Sequence, residues 1–522
     1  MRRSDGQERR QSRNGERLEE GAVARVASIR FCRAGPRLVR SARVRPVYSQ
    51  GAPVSSTSDP LEQAALGYVE FALGALRERC PSDEDVPLEL GLPAWEVVDQ
   101  REDGARVFQL SRSTWSAERV CAIRELGTLR ESDEFRRLKD ALAADEIVGS
   151  RLGGMVGSAA TGSGPWQIES LVESPVDAIL EQADAFEMSE ETIRGQVSRW
   201  VTALRAQEIE ITAVAPLADL TAAEPPLRLS PDAEIDELTV DELALGLQMG
   251  VVGFMFGPRF GPNQLEYVPK VFGARVRYHL PIVVGEIGGD DLASANAKRE
   301  KAFGLMQEAL TALRLFKRGR VSASGSLVFT RDPLFLGGAQ GGRNIAFTRG
   351  SRPPLEIDAA EGAEFERFWP NFVSARSNKL IGAASRRFGF AAERGRADDE
   401  IVDLVIAAET LFLGDIGKPS DRGEMTYRLA VRSASFLESS PSERLKLLKF
   451  MKIAYAARSG IVHGGELDES KLRNREGAPA TADVFADELE DVVRAALRKS
   501  MDTVASGKSF PPDWDQVLFS GA

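Results

Sequence analysis

Only two histidines occur in the 522 residues, His279 and His463. The second closes the run Ala454-Tyr455-Ala456-Ala457-Arg458-Ser459-Gly460-Ile461-Val462-His463-Gly464-Gly465. An arginine, a polar residue directly after it, and a histidine five positions on make a pairing with a definite chemical use. Histidine can move the proton of a ribose 2′-hydroxyl or of a leaving 5′-oxygen near neutral pH. An arginine fork can stabilise charge growing on phosphoryl oxygens in the transition state. Together they suit phosphodiester cleavage that needs no metal. Nothing elsewhere has the spacing of a metal-ligand cluster, so neither a metal nor another cofactor is expected. Cys32, Cys80 and Cys121 stand far apart, with no CxxC or Cys/His spacing. Neither a zinc site nor a disulfide framework is expected from them. His279 sits between Tyr278 and Leu280 in an apolar stretch, with no acid or cysteine at catalytic spacing. One imidazole alone makes neither a metal site nor a nucleophile pair, so a satisfied structural histidine is expected there.

The elements that must position Arg458 and His463 are helical. Residues 442–463 read as one helix. At about 100° per residue, Leu447, Phe450, Met451, Ala454, Ala457 and Ile461 form one apolar arc, with Arg458 near its middle. A buried unpaired charge is costly, so Arg458 needs an acidic partner, a water-filled pocket or an anionic ligand. His463 lies about 140° round from Arg458, so the two converge only at a cleft or an interface. Gly464-Gly465 marks the helix end, where the dipole favours an imidazolium. Glu409 lies in the apolar half of a helix at 398–413. It reads either as a buried partner for an arginine such as Arg428 or Arg432, or as a solvated edge residue. A third arrangement pairs Glu409 with Arg458 inside the bundle and leaves His463 as a helix cap.

Three runs share this order and helical spacing: Asp403-Leu404-Val405-Ile406-Ala407-Ala408-Glu409-Thr410-Leu411-Phe412, Tyr427-Arg428-Leu429-Ala430-Val431-Arg432, and the Arg458 to His463 motif. Together they resemble the Apea-like HEPN family, whose signature is R-x4-6-H. The resemblance covers roughly residues 365 to 505. It implies a metal-independent endoribonuclease, with sites formed where two bundles dimerise and with RNA as substrate. Arg458 and His463 take the catalytic positions, with Ser459 and Glu409 in supporting ones. Ser459 departs from the Asn, Asp or His more usual after the arginine in active members. A role in phage defence or stress response follows by the same analogy, with the amino-terminal region as sensor. The alternative is a non-catalytic HEPN interaction or nucleotide-binding module.

The rest of the chain frames this. Net charge is −11, yet residues 1–50 carry thirteen arginines against five acidic residues, so the remainder is more acidic still. An acidic body repels nucleic acid at long range, and any RNA contact must be local or made by the tail. Residues 1–58 show no sustained periodicity. They read as a disordered tail or a start placed too far upstream, as a transit-like peptide, or as a basic arm. No apolar run approaches the ~18 residues of a membrane span, so a cytoplasmic protein is expected.

Residues 59–350 read as mixed α/β. Helices are expected at 61–79, 132–147, 175–186, 190–205 and 293–318. Strands are expected at 107–110, 209–214, 227–229, 233–238, 275–284 and 321–330, with Pro281 at an edge or bulge. Gly153–Gly164 and Gly337–Gly342 read as glycine-rich loops without phosphate-loop context. Phe254–Gly261 reads as turn and loop. Residues 351–522 read as an all-α up-and-down bundle with helices near 364–378, 379–392, 398–413, 423–438, 442–463 and 481–504. The expected fold is α+β and multidomain.

Overall fold

The computed structural model describes residues 59–80, 93–102, 104–112, 117–183, 189–252, 265–332, 334–335, 340–343, 352–416 and 424–519. The expectations for residues 1–58 and for Phe254–Gly261 lie outside these. Among the described residues the fold is α+β: the last strand is Leu355–Ile357, and helices follow it.

The first layer is helical. Pro60–Arg79 packs Tyr68, Val69 and Leu76 against Asp133–Ala144, Ile168–Ala183 and Glu190–Arg205. Asp59 caps the first helix through Leu61 N at 3.0 Å and also holds Arg205. The helix expected at 132–147 stops at Ala144 and restarts at Glu146. Asp145 is the cause, because its carboxylate accepts from the backbone of Ile147 and Val148 and so begins a new helix. Cys80 and Cys121, 41 residues apart, form a disulfide with Cα atoms 5.6 Å apart. This corrects the expectation of none. The pair joins two elements that meet only in three dimensions, which spacing along the chain does not reveal.

The central sheet orders its strands Gln340–Arg343, Gly325–Phe329, Glu208–Ala218, Phe272–Pro281, Ala233–Glu237 and Leu227–Ser230, all neighbours antiparallel. Period-two alternation marks only part of Glu208–Ala218, because residues 211–217 are buried on both faces. Pro281 is the last residue of its strand, beyond the reach of the Ala233–Glu237 neighbour, which is the edge position a proline requires. His279 on the same strand is exposed, so it is not a core histidine. Gly153–Gly164 is a hairpin rather than a plain loop: Met155–Ser158 pairs with Gly162–Pro165. A Cβ on Gly157 would lie 2.0 Å from the Gly162 carbonyl oxygen, so only glycine lets the two strands close.

The helix Gly289–Phe316, called here the spanning helix, packs on the sheet at one end and under the carboxy-terminal helices at the other. Leu355–Ile357 then adds in parallel to Leu220–Ala222. The carboxy-terminal helices are Ala359–Ala375, Lys379–Ala391, Ala397–Leu413, Met425–Leu437, Pro441–Val462 and Ala482–Ala505, followed by the short Trp514–Phe519. Several starts are written locally. Asp358 and Glu361 form a capping box, Asn378 caps the next helix, and Ser440 precedes Pro441 at a first helical position. The larger apolar core runs from Leu61 to Trp514 and joins both parts, and a second gathers Phe108, Val214, Leu243 and Leu327 on the sheet.

Candidate functional site

The helix Pro441–Val462, the motif helix, is anchored by Leu447, Phe450, Met451 and Ala454. Phe450 stacks on Phe485 with ring centroids 4.7 Å apart. The apolar arc stops at Ala454. Ala457 and Ile461, expected to continue it, are only half-buried; Ala457 still packs against the core, and the final turn runs past it. That is how an arginine is tolerated on this face: Arg458 stands at the rim of the core, not in its middle.

Arg458 pairs with Glu409 of Ala397–Leu413, with Nη2 3.4 Å from Oε2 and the two side chains 24% and 21% exposed. Of the arginines the sequence offers Glu409, namely Arg428, Arg432 and Arg458, packing selects Arg458. Arg432 instead donates to the Phe412 carbonyl at 2.6 Å and to Asp415 at 2.7 Å, and lies 5.0 Å over the Trp514 ring. Arg458 is not fully satisfied by Glu409, because its Nε is buried and meets no acceptor. Burial pushes the Glu409 carboxyl above its ordinary range, and the Arg458 charge only partly opposes this.

His463 caps the motif helix, and its backbone N–H donates to the Ser459 carbonyl at 3.1 Å. Gly464 has φ of 85° and donates to Ile461, while Gly465 donates to Gly460 at 3.0 Å. This left-handed closure needs glycine at 464 and holds the imidazole at an exposed helix end. Ser459 is half-buried behind it. Lys452 lies eleven residues before His463, within about 20° of it on the helix surface but roughly 16 Å back along the axis. Its ammonium sits 5.0 Å over the ring of Tyr427, which is 50% exposed. A cation over an exposed aromatic on the His463 side is a surface on which a phosphate and a base could rest. Neither residue stood out in the motif. The three-turn spacing from Lys452 to His463 was the available signal, whereas Tyr427 comes from a separate helix.

Among the described residues one acidic trio, Glu400, Asp487 and Glu490, presents oxygens within 4.8 Å of one another. The Arg352 guanidinium fills it, 2.7 Å from Glu400 and 2.7 Å from Asp487 and in contact with Glu490. The cation of this trio is an arginine.

Compared with family models, curated proteins and solved structures, the chain matches none. The chemistry open to the site rests on its own residues. They give an exposed imidazole at a helix end, a rim arginine with a spare buried donor, a carboxyl whose pKa burial raises, and, about three turns back along the helix, a lysine over a tyrosine.

Proposed function

We propose that the helical part is a metal-independent endoribonuclease of the Apea-like HEPN kind. The observation that carries this reading is the mostly buried Arg458–Glu409 pair, in which the arginine keeps an unmatched donor one and a half turns from an exposed histidine. His463 moves the proton of the attacking 2′-hydroxyl or of the leaving 5′-oxygen. Arg458 meets the phosphoryl charge, and Glu409 holds the fork until substrate arrives. Ser459 supports the helix end. Lys452 and Tyr427 give an acidic protein a local foothold for RNA. Because Arg458 and His463 leave the helix in different directions, a homodimer through the motif helix brings one copy's imidazole near the other's guanidinium. Among the described residues no helix is long and apolar enough to cross a membrane. We place the protein in the cytoplasm, where RNA is met, as an effector in defence or stress, with residues 59–350 sensing the trigger. The second reading, a non-catalytic interaction or nucleotide-binding module, draws on the same ion pair, since Glu409 already occupies one end of Arg458.

The test incubates the purified full chain with a labelled RNA oligonucleotide in EDTA. Attack by the 2′-hydroxyl predicts fragments ending in a 2′,3′-cyclic phosphate, and His463→Ala should lower the rate by about 10²–10⁴-fold. Cleavage lost in EDTA and restored by Mg²⁺, or unchanged in His463→Ala, refutes the mechanism. Absence of cleavage at concentrations where the protein is dimeric favours the interaction module.

A further inference from the structure

The helix Lys379–Ala391 carries Lys379, Arg386 and Arg387 and no acid. Residues 376–396 hold six lysines and arginines against one acid, Glu393, in a chain whose net charge is −11. Glu393 is itself engaged by Arg314 at 3.2 Å. Helical periodicity gathers Lys379, Arg386, Arg387 and Phe390 into an arc of about 100°. All four are exposed, while Ile381, Ala384 and Phe388 turn to the core. Two arginines of this surface are set in place by one buried acid. Arg387 donates from Nη1 to Asp403 at 3.1 Å, and Arg394, in the turn that closes the helix, donates from Nε to the other carboxylate oxygen at 2.7 Å. Asp403 is 4% exposed beneath them, and each arginine side chain is 45% exposed. One carboxylate therefore orients two guanidinium groups and neutralises only one of their charges, and each keeps further N–H donors for an outside acceptor. Phe390, 49% exposed, lies three residues after Arg387 and four before Arg394, a spacing that makes side chains neighbours on a helix. Oriented arginine forks match phosphate oxygens, and an exposed ring offers its face to a base. Asp403 and Glu409 leave Ala397–Leu413 about 120° apart, so this is a different surface from that of the Arg458–Glu409 pair.

We propose that this face of Lys379–Ala391 binds single-stranded nucleic acid. Phosphates rest on Arg387 and Arg394, a base stacks on Phe390, and Arg386 and Lys379 carry the strand along the helix. The forks alone would serve an acidic peptide equally well; the ring between them favours a nucleic acid. The site gives an acidic chain a local hold on a polyanion. It goes beyond the ribonuclease reading, because holding a strand does not require cutting it.

The probe is a fluorescently labelled oligothymidylate of about 15 nucleotides. It has no 2′-hydroxyl, so its binding is read apart from cleavage. Polarisation is followed with the full chain across a salt series, and the parent should bind. Arg387→Gln with Arg394→Gln should lose at least about tenfold in affinity. The slope of log affinity against log salt should flatten by about 1.4, two contacts at about 0.7 each. Phe390→Ala should lose about fivefold or more with the slope unchanged, and Phe390→Trp should bind at least as well as the parent. His463→Ala should bind as the parent does, and so should Arg136→Gln, which removes a charge from an exposed arginine of the first helical layer. No binding to the parent overturns the proposal. So does undiminished binding in both the double arginine variant and Phe390→Ala, the result expected if the arginine-rich residues 1–50 hold the strand. Polyglutamate that competes as well as unlabelled oligothymidylate also overturns it, in favour of an acidic protein partner. None of these results touches the cleavage assay, so the ribonuclease reading stands or falls separately.

Discussion

At the level of single residues, the Arg458–Glu409 pair decides what the motif can do. An ion pair at a quarter exposure contributes modestly, on the order of 1 kcal/mol. Arg458→Gln should therefore cost about that much in chemical denaturation, since it leaves Glu409 half-buried without its cation. Glu409→Gln should cost less, because burial already works against the carboxylate. The folded protein holds the Glu409 pKa above its ordinary 4.5, so the fold favours the protonated form. Stability from this group is full below the ordinary value and is lost as pH rises through the raised one. Glu409→Gln lacks that loss, and it should gain on the parent as pH is taken from about 4.5 to neutrality. A difference between the two that stays flat with pH would show that Glu409 ionises freely. The sequence marked Arg458 as needing a partner and Glu409 as able to be one. Among the arginines it offered Glu409, Arg428 and Arg432 lie on the next helix in the chain, whereas packing brings the motif helix alongside and Arg458 makes the pair.

At the level of elements, what could be read was what is written locally. The six long carboxy-terminal helices stand within a few residues of where apolar periodicity and caps put them. The central strands followed alternation only in part, and Gln340–Arg343, read as a glycine-rich loop, pairs with Gly325–Phe329 in the central sheet. Three features could not be read this way. The Gly153–Gly164 hairpin has almost no side chains to pattern, the Cys80–Cys121 bond joins distant segments, and the motif helix outruns its core although its apolar residues continue. The last point predicts an uneven helix. Phe450→Ala should cost about 3–5 kcal/mol, as removal of a fully buried ring does. Val462→Ser, on the exposed final turn, should stay within about 0.5 kcal/mol. Equal losses in urea denaturation would mean that the final turns are packed after all. The disulfide closes a loop between two helices of the first layer. Cys80→Ser should lower stability by about 2–4 kcal/mol under oxidising conditions. With dithiothreitol present the parent should lose most of that advantage over the variant. A gap unchanged by dithiothreitol would show that burial of Cys80, not the bond, was lost.

For the whole molecule, the question is whether the α/β part and the helical part are separate bodies, as the change in sequence character at residue 351 implied. Their contact is not a linker. Arg314, near the end of the spanning helix, donates to the Gly389 carbonyl at 3.0 Å, and Arg494 donates back to the Arg314 carbonyl at 2.9 Å. Arg318 reaches Asp487 and Asp491. Arg352, on the segment between the two parts, fills the acidic trio of Glu400, Asp487 and Glu490. Sequence periodicity carries no trace of this network, since its members are spread over several segments and each looks like an ordinary charged residue. Matched buried charges do not by themselves stabilise much, but removing one partner leaves the others uncompensated. Arg352→Met takes the shared cation from Glu400 and Glu490, both nearly fully buried, while Glu490 keeps Arg494, and should cost about 3 kcal/mol. Adding Glu400→Gln and Glu490→Gln should return part of that loss, because fewer stranded charges remain. Calorimetry of the parent should give one cooperative transition, in keeping with a core that joins both parts. Arg352→Met should lower its midpoint and broaden or split it as the two parts uncouple. Two separate transitions in the parent, or an Arg352→Met protein that melts as the parent does, would show that the network does not hold the halves together.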